Sequence, residues 1–484
     1  LSKAIRIEPR CASAYWSRGC AYHIKGELDK AIADLSEAIR LGMKDASLYI
    51  KRAATYADRG DRDKAIADFT EAIRLDPKSP VGYCGRGRIY SEKNEFAKAI
   101  SDLTQAIRLD PEYAEAYFWR ACSYDAPTDP DLDKAIADFS EAIRLNPKDA
   151  DAYYRRACAY TDRGKLDEAI ADFSELIRLK PESAEAYGRR GDAHRVKGEY
   201  DKAIADLNEA IRRNKHDAIA LLCRGRAYRQ KGKLDNAIAD LAAAIRIDEN
   251  MARAYQERGS ARWAKGEQDE AIEDFGEAIR RIKTPEASMY FDRGCAYVLQ
   301  KQWDKAISDF DEATRIDKGF ALAYCARGHA YYARDNREFD KAVTDLTQAI
   351  HIDAKCADAY RARGWVYAQN GNLDKSIADY SEAIAISPTD EAYQARATVY
   401  LSRCEWNKAM VDLTEAIRIS EKPDAPMYYD RGKAYTKMGE WDKAIADFNE
   451  ALRIDKAFAE AYCLRGCAVF ARNRRDSDKA IKDL

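Results

Sequence analysis

Proline and glycine are scarce, at 12 and 24 of 484 residues. No Pro/Gly-rich linker therefore separates the three or four domains that a chain of this length ordinarily holds. Histidine is scarcer still: the five copies (His23, His194, His216, His329, His351) are scattered. No HExxH, phosphate-binding loop or dinucleotide fingerprint occurs, and no Ser/His/Asp group assembles, so the segment reads as no enzyme. Charge of one sign is also missing. Lys plus Arg number 81 against 83 Asp plus Glu, a net charge of −2. That balance argues against a nucleic-acid binder and against an acidic disordered chain. No apolar run approaches the ~18 residues of a membrane span, so no membrane insertion is expected. The twelve cysteines form no CxxC pair. Cys463 and Cys467 share a helical face but make no metal signature alone. Reduced thiols, no bound metal and no cofactor are the expectation, in a reducing compartment such as the cytoplasm.

What is abundant is one sentence repeated. AYWSRGCAYHIKGELDKAIADLSEAIRL, from Ala14, returns as AYYRRACAYTDRGKLDEAIADFSELIRL, from Ala152. Residues 1–11 are the tail of one repeat. Thirteen full repeats fill 12–458, and a truncated fourteenth fills 459–484. They begin at Ala12, Ala46, Pro80, Ala114, Ala150, Ala184, Ala218, Ala252, Ala287, Ala321, Ala357, Asp390, Ala425 and Ala459. The usual step is 34 residues. Within a repeat, position 4 is Tyr in thirteen of fourteen, with Leu221 the exception, and position 8 is always Gly or Ala. Position 11 is Tyr in eleven, position 20 is Ala except at Ser376, and position 24 is Leu, Phe or Tyr.

These spacings put two apolar stripes on two helices. In the first repeat they are Tyr15, Gly19 and Tyr22, then Leu28, Ala31, Leu35, Ala38 and Leu41. Small residues let the backbones approach, and Tyr and Phe fill the space beside them. A turn such as Lys25-Gly26-Glu27 separates the helices, and Asp-Pro often ends the second. One repeat cannot bury both faces, so neighbours must stack.

A 34-residue period with these small and aromatic positions resembles the tetratricopeptide repeat, a helix–turn–helix unit, over essentially the whole chain. Phrases such as AIADF and EAIRLDP resemble bacterial members. The resemblance implies an all-α fold: a right-handed superhelical solenoid of antiparallel helix pairs. It also implies a non-enzymatic protein-interaction scaffold or adaptor that binds peptide segments or partner domains in a concave groove. That groove is lined by positions 2, 5, 9 and 12 of the first helix. Those positions hold Trp16, His23, Phe118 and Tyr154, then Arg195, Arg226, Arg229 and Trp263, then Phe291, Tyr332, Arg361 and Trp365. The layout predicts a peptide with aromatic or apolar anchors and an acidic centre. Chaperone-tail adaptors of the family carry Asn at position 9; no repeat here does.

Two departures from the family pattern matter. Position 7 is Arg and position 23 is Asp in all fourteen repeats, from Arg18 and Asp34 through Arg224 and Asp240 to Arg465 and Asp483. Charges that repeat so regularly predict a structural Arg-Asp ladder rather than a selective site. Three repeats also carry two extra residues between their helices, at 125–131, 334–338 and 472–477. Leu1 and Leu484 both fall at position 24, inside a second helix. That phase fits a piece of a larger repeat protein, including the sensor or regulatory array of a larger enzyme. It also fits end-to-end self-association into filaments.

Overall fold

The structure is a computed structural model that describes residues 1–127, 130–334 and 338–472. Among the described residues every regular element is a helix. A short opening helix, Ser2–Ile7, precedes alternating first and second helices, here A and B. Helix A of the first repeat is Ala12–Ile24 and helix B is Leu28–Arg40. Later A helices start at Ala46, Pro80, Ala114 and so on to Ala459. The chain forms two compact bodies, Leu1–Asp248 and Glu249–Leu484, a division that no shift in composition marks. Within each body, A and B of one repeat pack together and B then packs on the next A.

The A-to-B turn has a local cause. Position 15 sits in the left-handed region, as at Gly26 (φ 76°) and Gly60 (φ 89°). The amide of Glu27 donates to the Tyr22 carbonyl at 2.9 Å and that of Gly26 to the His23 carbonyl at 2.9 Å. These two bonds close the end of helix A, and only glycine reaches that conformation without strain. Asn94, Lys301 and Cys404 hold the same place at φ of 60°, 57° and 60°.

The core lies between A and B. Position 20 is sealed, with Ala31, Ala65 and Ala99 each 0% exposed. Position 24 supplies the largest buried side chains, among them Phe139, Phe275, Phe310 and Phe448. Position 8 must be small because a Cβ on Gly225 would come 2.7 Å from Leu241 Cγ. Ser376 breaks the alanine pattern: it is fully buried, and its hydroxyl has no hydrogen-bond partner among the described residues. Of the three insertions, residues 128–129, 335–337 and 473–484 lie outside the described residues. No described helix is long and apolar enough to cross a membrane.

Candidate functional site

The Arg-Asp ladder forms within repeats. From Arg18–Asp34 to Arg431–Asp447, the guanidinium and carboxylate meet as a two-bond fork, each bond 2.6–2.9 Å long. Arg224 and Asp240 are one such pair, at 2.7 Å for both bonds. The remaining guanidinium nitrogen often reaches the preceding helix B. Arg52 donates to Ser36 at 3.0 Å, and Arg224 to Asn208 at 2.7 Å. Tyrosines at positions 4 and 11 flank the same group, with Arg18 5.6 Å from the Tyr15 ring and 5.7 Å from the Tyr22 ring. Each such Arg joins both helices of its own repeat to the repeat before it. In the last repeat Arg465 donates to Asn449 at 2.7 Å, and Asp483 lies outside the described residues. The Arg224 guanidinium is held above its ordinary pKa, with the Asp240 hydrogen bond as the main cause.

The sequence-predicted groove residues separate by environment. In the first body, Trp16 lines a hollow of about 890 Å³ with Cys20, Ile50 and Lys51. His23 Nε2 lies 2.7 Å from Asp58 Oδ2 of the next repeat. Phe118 and Tyr154 line a smaller hollow of about 450 Å³. The Tyr154 hydroxyl donates to Glu185 at 2.7 Å, and burial pushes its pKa up. The middle arginines do not present an open row of guanidinium groups. Arg195 is only 7% exposed, because its Nε donates to Asp192 at 2.7 Å. Arg226 and Arg229 are half-buried and engaged with neighbouring groups. An Arg beside a carboxylate one helical turn away folds onto it, which a position-by-position reading of the groove does not register.

In the second body four predicted residues converge. Trp263, Phe291, Arg361 and Trp365 line one trough of about 720 Å³, built from the A helices of five successive repeats. These run Ala252–Lys265, Ala287–Leu299, Ala321–Arg334, Ala357–Gln369 and Asp390–Ser402. Phe310 and Tyr380, from position 24 of two B helices, complete its floor. Tyr332 is not on the wall. It is buried, and meets the Trp365 ring edge-on at 4.8 Å, holding that indole in place. Phe291 packs against Phe310 at 5.9 Å and Phe320 at 5.1 Å. Arg361 donates to Asp358 at 2.7 Å. His329 also lines the trough, and desolvation lowers its pKa.

Sequence reasoning missed Leu299, Leu322 and Glu391 on this wall. Leu322 and Glu391 stand at position 2, and a leucine there, where most repeats are polar, was the available signal. Leu299 stands at position 13, outside the expected set. The cysteines of the trough, Cys295 and Cys325, have their thiols pushed up to about 12 by burial. They are protonated at neutral pH and poor nucleophiles. Among the described residues no three metal-ligating side chains come together.

Tetratricopeptide-repeat family models match residues 131–184, 154–214, 189–252 and 327–391, then 46–79, and then 12–41 and 252–284. A further TPR-repeat model matches 87–124, 294–335 and 432–472. Together these segments span well over half of the chain. No curated protein matches by sequence. Similar solved structures include MamA, at 32% identity over 31% of this chain and 88% of that one, TM-score 0.30. A tetratricopeptide repeat protein from Parabacteroides merdae is 21% identical over 52% of this chain and 98% of that one, TM-score 0.41. Yeast Tom70 is 17% identical over 85% of this chain and 99% of that one, TM-score 0.40.

Proposed function

Because the chain belongs to the tetratricopeptide-repeat family, we propose that it is a non-catalytic scaffold that grips a polypeptide partner through the trough of its second body. Protein interaction is the general business of such repeats; the trough is our assignment. One observation carries it. Leu299, Leu322, Trp263 and Trp365 are 51%, 49%, 37% and 37% exposed, and all four converge on the same hollow. Scattered exposed apolar residues are ordinary, whereas a contiguous aromatic and aliphatic wall marks a contact surface. Two of the four are indoles, which supply large rigid contact area at low entropic cost.

The hollows around Trp16 and around Phe118 and Tyr154 support lesser contacts on the first body, with Lys44, Asp45 and Lys51 polar in the first and Arg155, Lys180 and Glu185 in the second; His23, Arg195, Arg226 and Arg229 line neither and would contribute separately. A reducing compartment such as the cytoplasm suits twelve unpaired cysteines. The test is a random 12-residue peptide display against the full chain and against a Leu299→Asp/Leu322→Asp variant. Families enriched on the wild type are expected to fall at least tenfold on the variant, with helical circular dichroism unchanged. Equal enrichment on both would remove the trough from the assignment.

A further inference from the structure

The trough's charges bear on what kind of segment it accepts, an inference that rests on the binding role proposed above. Only three formally charged side chains line it: Asp358, Arg361 and Glu391. Arg361 gives one of its five N–H donors to Asp358, at 2.7 Å, so the two charges offset each other. Glu391 makes no ion pair among the described residues, and its carboxyl lies against that of Asp390, the preceding residue. His329 is exposed on the trough wall, and desolvation by the side chains around it disfavours the imidazolium form. The wall is therefore apolar with one uncompensated negative charge, at its far end on the Asp390–Ser402 helix.

Shape narrows the occupant as well. Five successive A helices contribute to the wall, and packed helices stand about 10 Å apart. The hollow is long and open along the row rather than a closed chamber, which fits a chain segment better than a compact small molecule. A carboxylate in the occupant would meet two carboxylates, Asp358 and Glu391, against the single Arg361. A cation meets the opposite balance, two carboxylates and one guanidinium.

We infer that the trough accepts a polypeptide segment whose apolar or aromatic side chains lie against Trp263, Leu322 and Trp365, and whose Lys or Arg faces Glu391 and Asp358. The acidic centre expected from the sequence belongs to Arg195, Arg226 and Arg229, which lie in the first body and do not line this trough. Apolar burial supplies the affinity, and the rim charge selects the sign of the partner.

The peptides enriched by display on the full chain test this directly. Trough-dependent families are expected to combine aromatic or aliphatic residues with Lys or Arg. The strongest is then synthesised with a fluorescent label, and its affinity is measured by anisotropy. Trp365→Ala is expected to weaken it at least tenfold, and Glu391→Lys about threefold to tenfold. Glu391→Gln should give a smaller loss of the same sign. Trough-dependent peptides rich in Asp or Glu, or tighter binding by Glu391→Lys, would overturn the inference while leaving the binding role intact. No trough-dependent peptide at all would overturn both. A small amphipathic molecule retained in native mass spectrometry and lost from Leu322→Asp, with no peptide enriched, would do the same.

Discussion

An arginine placed between two tyrosine rings and forked onto an aspartate has little freedom left. At Arg224 the fork to Asp240 is mostly shielded from solvent, and Asn208 takes the third bond. Removing it strands a largely buried carboxylate, at a cost of about 3 kcal/mol. Arg224→Ala is therefore expected to lower the urea midpoint clearly more than Arg226→Ala. Equal midpoints would dismiss the ladder as a stabilising device. Ser376 predicts the opposite sign. Its buried hydroxyl has no partner among the described residues, so Ser376→Ala is expected to stabilise by about 1 kcal/mol, read as a raised denaturation midpoint. The ladder was legible in the sequence because Arg and Asp recur at fixed positions. Its reach back to the preceding helix B was not, since the acceptor varies among Ser, Thr, Asn and Asp. The burial of Arg195 was equally hidden, because it depends on how one side chain folds onto a neighbouring carboxylate.

Helices and turns obey rules that need no tertiary information. The two-stripe pattern fixes the paired helices, and glycine at position 15 fixes most of the turns. Where that glycine is absent, strain remains. Cys404 adopts φ 60°, and left-handed backbone costs a side-chain-bearing residue roughly 1–2 kcal/mol. Cys404→Gly is thus expected to stabilise its turn by about 1 kcal/mol, seen as slower amide exchange at Glu405 and nearby residues. Unchanged exchange would show that the turn carries no such strain. The same rules do not reveal the trough. Positions 2, 5, 9 and 12 located Trp263, Phe291, Arg361 and Trp365, but Tyr332 turned inward. Whether a position-12 ring faces the groove or packs beneath its neighbour depends on the adjacent repeat, here on Trp365.

For the molecule as a whole, exposed ion pairs outnumber the buried forks among the described residues and contribute to the response to acid, against the opposite shift that burial gives Asp125, Asp309 and Asp430. Glu199 is held down to about 2 by Lys202 and His194, and Glu209 to about 2 by Arg212 and Arg213. Glu27, Glu37, Glu71 and Glu95 shift the same way, each through a hydrogen bond from a nearby Lys or Arg. A carboxylate whose folded pKa lies below its ordinary 4.5 favours the fold above that value and stops doing so as pH falls through the folded one. Urea midpoints are expected to be flat from pH 7 to about 5 and to drop between about 4.5 and 2. A midpoint unchanged at pH 2.5 would contradict this. On the turn edge, Arg59 joins Asp29 at 2.6 Å and Lys93 joins Asp63 at 2.6 Å, each between adjacent repeats. One partner of each is strongly exposed, so salt should weaken these edge pairs before the forks.

The reach of most position-7 arginines into the preceding repeat has a genetic consequence. Most couplings present nearly the same plug and socket, a guanidinium onto a Ser, Thr, Asn or Asp, so a repeat does not need its original neighbour. Excising Ala184–Asp217 would bring Arg224 onto Ser174, the serine that now receives Arg190 at 3.0 Å. A gene written in this way can gain or lose whole repeats by unequal crossing-over and still encode a folded array. The length of the scaffold is then free to drift, while the few repeats that build the trough are tied to their order.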